Sequence, residues 1–117
     1  MSESIFKLVV ERARTRIALR AQWTRFATAR THNNRICDPL DPAATRFCAY
    51  GAMVRAGYEL TGCRTTAVLV AQRAARRLTG AATDLEAVAD LHVLNDGPPT
   101  AARQRLIDLI DAALADG

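Results

Sequence analysis

The 117-residue chain has few aromatic residues, a single lysine and no long apolar run, and each shortage excludes something. The longest clear apolar stretch, Ala67-Val68-Leu69-Val70-Ala71, falls far below the roughly 18 residues a membrane span needs, so no membrane insertion is expected. The beginning, Met1-Ser2-Glu3-Ser4, carries an acid where a secretory signal carries positive charge, and no apolar segment with a small-residue cleavage site comes after it. The expected location is cytoplasmic. Three cysteines, Cys37, Cys48 and Cys63, leave at least one without a partner, and a reducing compartment keeps all of them as thiols. Neither Cys-x-x-Cys nor His-x-x-x-His spacing occurs, which argues against structural zinc. Glycine-rich runs between a strand and a helix are also missing, so no phosphate-cradling loop is read. Neither a cofactor nor a metal is expected.

What the chain does have is alanine and arginine. Half of its residues are hydrophobic and about a quarter charged, which places it among globular proteins. The aromatics are Phe6, Trp23, Phe26, Phe47, Tyr50 and Tyr58; a core built mostly from smaller side chains suits helices lying close together. Lys7 is the exception among basic residues that are otherwise all arginine. Through Tyr58 the chain carries ten Lys or Arg against four acids; from Glu59 onward it carries six against eight. Arginine reads phosphate and carboxylate through planar, bidentate contacts. The joint abundance of Ala and Arg is better explained by a GC-rich genome.

The periodicity predicts an all-α, compact single domain of four to five helices with one long ordered loop. A first helix over about 5–21 buries Phe6, Val9, Val10, Ala13, Ile17 and Ala21 on one arc. From Trp23 to Leu40 the period fails, and His32-Asn33-Asn34 and Cys37-Asp38-Pro39 are turn-forming. Asp41-Pro42 reads as a helix start, giving a second helix over about 42–56 that Gly57 ends. A third spans about 65–79 with Leu69 among its apolar positions and Gly80 as its cap. Thr83-Asp84-Leu85-Glu86 has the capping-box pattern for a fourth over about 84–94. After Asn95-Asp96-Gly97-Pro98-Pro99, Thr100 caps a fifth over about 100–115.

Four groups of residues carry candidate roles. Trp23, Arg55, Asn95 and Asp96 form either a polar site or a structural turn that locks the fourth helix to the fifth, the turn being favoured because Asn and Asp side chains bond to nearby backbone. Arg12, Arg16, Arg20, Arg25, Arg30 and Arg35 offer contacts to nucleic acid or a partner, with Trp23 and Phe26 available to stack on bases. Leu8 and Leu19 lie outside the buried arc of the first helix and are read as an interface. Cys48 with His92 and Asn95 or Asp96 has the residue types of a cysteine hydrolase. Placed two turns into a helix on its core face, however, Cys48 is expected to be an inert apolar thiol.

Asp41-Pro42-Ala43 leading into Phe47-Cys48-Ala49-Tyr50-Gly51-Ala52, then Leu94-Asn95-Asp96, then Thr100, resembles a family (a domain of unknown function) of small helical proteins from bacteria and their phages. Trp23 matches a tryptophan that precedes the Asp-Pro-x-Ala segment there. The resemblance implies the helical layout and carries over no established activity. The expected function is therefore that of a small accessory protein acting through protein–protein contacts, as a phage-associated modulator or inhibitor of a larger complex, with an unknown protein partner or a homodimer. Nucleic-acid binding through the Arg-rich half is the alternative, and a cysteine hydrolase using Cys48 and His92 a remote one.

Overall fold

The computed structural model describes residues 2–116. Five helices, α1 (Glu3–Ile17), α2 (Ala49–Thr61), α3 (Arg64–Thr79), α4 (Asp84–Asn95) and α5 (Ala102–Ala115), make up most of it. Between α1 and α2 lie a short 3-10 turn over Arg20–Gln22 and three strands, β1 (Ala29–Thr31), β2 (Ile36–Cys37) and β3 (Ala44–Phe47). The strands form one antiparallel sheet in the order β2-β1-β3. The chain is thus predominantly helical but not all-α, and the expected loop and the start of the expected second helix are partly sheet.

Local chemistry explains the difference. Asp41 Oδ1 accepts from the Ala43 N–H at 2.8 Å, and the Asp41 carbonyl accepts from Ala44 N–H at 2.9 Å, which makes 41–44 a tight turn. Asp succeeded by Pro opens a β-turn as readily as a helix. Residues 44–47 decide between them: Ala44 and Phe47 are buried, Thr45 is exposed, and Arg46 pairs with Arg30 of β1. The His32-Asn33-Asn34 run is the hairpin between β1 and β2, closed by Thr31 N–H to the Arg35 carbonyl, with Asn34 in the left-handed region at φ 69°. Strands of two to four residues are too short to reveal themselves by alternation.

Helix ends moved with the sheet. The N–H of Ile5 donates to Ser2 Oγ, so α1 starts earlier than expected, and it stops at Ile17, leaving Ala21 exposed. Helix α2 runs through Gly57 to Thr61 and is ended instead by Gly62 at φ 69°. A Cβ at Gly57 would sit 3.1 Å from Ala67 Cα, so this glycine lets α2 and α3 approach closely rather than terminating a helix. Helices α3 and α4 match expectation within one residue, with Gly80 and Thr83 as their caps. The Pro98 carbonyl accepts from the Ala101 and Ala102 N–H groups, so α5 begins at Ala102 without a cap from Thr100.

One core gathers Phe6, Val10 and Ile17 of α1 with Met53 of α2, Leu91 of α4 and Leu106 and Ile110 of α5. From α3 it takes Ala71, Ala74, Ala75 and Leu78; Leu69, expected inside, is 46% exposed. Alanine on the inner face of α3 and glycine on α2 give the close helix packing that the scarcity of aromatics implied.

Candidate functional site

Among the described residues the most connected polar side chain is that of Asn95, the last residue of α4, which is 1% exposed. Its Oδ1 accepts from Trp23 Nε1 at 2.9 Å and from the Ala49 N–H at 3.0 Å. Its Nδ2 donates to the Thr24 carbonyl and to Asp96 Oδ1, each at 3.0 Å. One side chain therefore joins α4, the segment after α1 and the first free N–H of α2. Cys48, the N-cap of α2, supplies the next acceptor, its Sγ taking the Gly51 N–H at 3.2 Å. The Asn95-Asp96 turn fastens α4 to Trp23, Thr24 and α2 rather than to α5.

Asp96 extends the network outward. Its Oδ1 also accepts from the Phe26 N–H at 2.8 Å, while Arg25 Nη2 donates to the Asp96 and Gly97 carbonyls at the C-terminal end of α4. Phe26 is held at φ 62°, a conformation that costs an L-residue with a bulky side chain about 1–2 kcal/mol. The residue is 66% exposed, with the Arg25 guanidinium 4.6 Å from its ring centroid. Phe26, Ala27, Thr28, His92 and Asp96 line a cleft of about 360 Å³. Arg55 does not join this group: its Nη1 donates to the Pro39 and Asp41 carbonyls, steadying the turn before β3.

A model of the family of unknown function DUF6197 matches residues 2–116. The chain belongs to this family. No curated protein and no solved structure matches it.

In this DUF6197 member the Cys48 thiol is buried at the start of α2, not two turns inside it, and desolvation pushes its pKa up to about 11 despite the hydrogen bond from Gly51. A thiol so held is almost wholly protonated at neutral pH and a poor nucleophile. His92 lies in the cleft with its ring edge-on to Tyr50, centroids 5.7 Å apart. Cys63, by contrast, is exposed at the N-cap of α3, and its place beside Thr66 in the first turn of that helix holds its pKa below the usual thiol value. Titration of the native protein with a thiol reagent at pH 8 is expected to modify Cys63 first, Cys37 more slowly, and Cys48 only on unfolding. Rapid labelling of Cys48 in the folded state would reopen the nucleophile reading.

The six arginines do not form one open surface. Arg16 makes a two-pronged pair with Glu59 at 2.8 and 2.5 Å, and Arg12 reaches the same carboxylate at 3.7 Å. These contacts, led by the Arg16 hydrogen bonds, hold the Glu59 carboxyl below its ordinary range. Arg25 is turned onto the end of α4, and Arg30 donates to Thr24 Oγ1 and to the Asn34 and Arg25 carbonyls. Arg20 and Arg35 are exposed without a side-chain hydrogen bond or ion pair among the described residues. Trp23 is partly buried against the core with its N–H occupied, so it offers no stacking face like that of Phe26.

Leu8 and Leu19 are exposed as expected, but Leu19 lies past the end of α1 in extended backbone, so the two do not share a helical flank. More exposed apolar side chains lie on α4. Ala87, Leu91 and Asn95 face the core, leaving Leu85 at 83% and Val93 at 76% exposure on the other side. At 100° per residue Leu85, Ala89, His92, Val93 and Asp96 fall on one arc of about 100°. That arc ends in the cleft beneath Phe26. The signal was present in Asp84-Leu85-Glu86-Ala87-Val88-Ala89, which carries apolar residues on more sides than one buried stripe uses. Among the described residues no group of three or more His, Cys, Asp or Glu is placed to hold a metal, and no helix is long and apolar enough to cross a membrane.

Proposed function

We propose that this protein is a binding module without catalysis, an accessory protein that acts by docking on a protein partner through the outer edge of α4 and the Phe26 cleft. One observation carries the reading: Leu85 and Val93, about two turns apart within one arc of about 100° on the helix, are largely exposed, and the arc continues to an exposed aromatic held by Asp96. Isolated surface leucines are ordinary, whereas a row of apolar side chains ending in an aromatic at a cleft marks an interaction surface. Leu8 and Leu19 form a secondary contact in this reading. The resemblance to bacterial and phage proteins supports the more specific form, a modulator or inhibitor of a larger complex.

Nucleic-acid binding through the Arg-rich half is the less favoured reading, because Arg12, Arg16, Arg25 and Arg30 already have partners inside the protein. The double substitution Leu85→Ser with Val93→Ser is expected to leave stability within about 1 kcal/mol, since both side chains point to solvent. It is expected to abolish capture of a partner that the unaltered protein retains and that rebinds it in purified form. Equal capture by both proteins would sink the α4 reading. Micromolar, salt-sensitive binding of labelled RNA or DNA, unaffected by the substitutions, would put the arginine reading in its place.

A further inference from the structure

We infer that the partner presents a basic, apolar segment, and that one of its arginine or lysine side chains seats in the cleft between the ring of Phe26 and the carboxylate of Asp96. This inference rests on the docking reading above and states the chemistry of what docks.

Charge is the first argument. The chain as a whole is basic, yet α4 and its cap contain Asp84, Glu86, Asp90 and Asp96 and neither Lys nor Arg. Asp84 faces Arg73 and Arg76 at 3.7 Å, but Glu86, Asp90 and Asp96 make no ion pair among the described residues. Their carboxylates flank or end the exposed Leu85–Val93 row. Apolar side chains bordered by unneutralised acids fit an apolar segment bordered by cations, and the matched charges steer it into register.

The cleft supplies the second argument. Asp96 spends Oδ1 on the Phe26 and Asn95 N–H donors; its Oδ2 has no hydrogen bond among the described residues. The C-terminal end of α4, where the helix dipole is negative, lies beside it. A guanidinium already uses these same features from within: Arg25 lies on the Phe26 ring and donates to the Asp96 and Gly97 carbonyls. Arg25 covers one face of the ring. Phe26 is still 66% exposed, so its ring can take a second cation by the same electrostatic attraction while Asp96 Oδ2 receives its N–H donors. The left-handed backbone at Phe26, tied down by Asp96, keeps this aromatic at the mouth of the cleft.

The test is selection of a displayed library of random 12-residue peptides against the full chain, then affinity measurement of the selected peptides by fluorescence anisotropy. The expected consensus places Arg or Lys among apolar residues at helical spacing. Asp96→Asn, which keeps both Oδ1 hydrogen bonds and removes the charge, and Phe26→Gly, which fits the left-handed backbone and removes the ring, should each weaken binding about tenfold or more. Replacing the peptide's cation with glutamine should do the same and should erase the difference between the unaltered protein and Asp96→Asn. A consensus without Arg or Lys whose binding is nevertheless lost in the Leu85→Ser, Val93→Ser protein would overturn the cation inference and leave the docking reading standing. Failure to select any peptide, or peptides indifferent to every substitution on α4 and at Phe26, would overturn both.

Discussion

Gly51→Ala is expected to destabilise this protein by about 3 kcal/mol, although it replaces the weaker helix former with the best one. Inside a helix that substitution ordinarily gains about 0.5–1 kcal/mol, from reduced freedom of the unfolded chain and better helix propensity. Here the new methyl would overlap the Thr28 carbonyl oxygen and lie 2.9 Å from its carbon. Both atoms are backbone, so no rotamer change relieves the overlap; α2 would have to move away from the segment that enters β1. That movement would also stretch the Cys48 N–H bond to the Thr28 carbonyl, now 3.2 Å. Equilibrium denaturation of the two proteins measures the difference directly. Gly57→Ala is the internal comparison: its nearest contact is 3.1 Å, so a smaller loss is expected. A gain in stability for Gly51→Ala would mean that α2 and the Thr28 segment do not approach as described.

Asn95→Leu should cost more, about 4 kcal/mol, at similar side-chain volume. It removes an acceptor shared by Trp23 Nε1 and the Ala49 N–H and a donor to the Thr24 carbonyl, so polar groups at a buried junction lose their partners together. Each buried group left without a hydrogen bond contributes about 1–3 kcal/mol. Asn95→Asp discriminates further. It preserves an acceptor for Trp23 and Ala49, loses the Nδ2 donor, and places a carboxylate beside Asp96 at a site from which water is excluded. Burial and the like charge favour the protonated form, so the new group's folded pKa lies above its unfolded value. The variant should therefore recover stability as pH falls towards the carboxylate range and lose it as pH rises. Trp23, the single tryptophan, reports both variants through its fluorescence, because its N–H donates to Asn95. Melting temperatures unchanged by Asn95→Leu would show that this residue does not hold the junction together.

Much of the helical layout was legible because its signals are local. Periodicity placed most of the buried face of α1, Thr83 with the acids after it marked the start of α4, and Gly80 marked the end of α3. Asn95 and Asp96 stood out as a polar pair before two prolines, and Trp23, grouped with them, donates to Asn95 from 72 residues away. Arg55, also grouped with them, bonds elsewhere. Nothing local says whether a half-buried arginine turns to one set of carbonyls or another; here Pro39 and Asp41 are nearer.

The sheet was not legible. Asp-Pro is shared by helix starts and β-turns, and the Ala44, Phe47, Cys48 and Gly51 spacing fits a helix although a strand occupies its first half. Only pairing with β1, across a hairpin and a second turn, makes 44–47 extended. The same long-range packing turned Cys48 from a mid-helix residue into an N-cap, and Gly57 from a terminator into a point of close helix approach.

The sequence by itself determined a mostly helical chain with a thin, alanine-rich core, because burial of a helical stripe and the capping of its ends depend on residues a few positions apart. The tertiary structure alone decided where the exposed surface is. A stripe counts as core or surface only once the partner that covers it is known, and α4 is apolar on two sides while the fold covers one. It also decided that Arg16, Arg25, Arg30 and Arg55 are tied to the fold while Arg20 and Arg35 are not, since a guanidinium takes the carboxylate, carbonyl or hydroxyl that folding brings within reach.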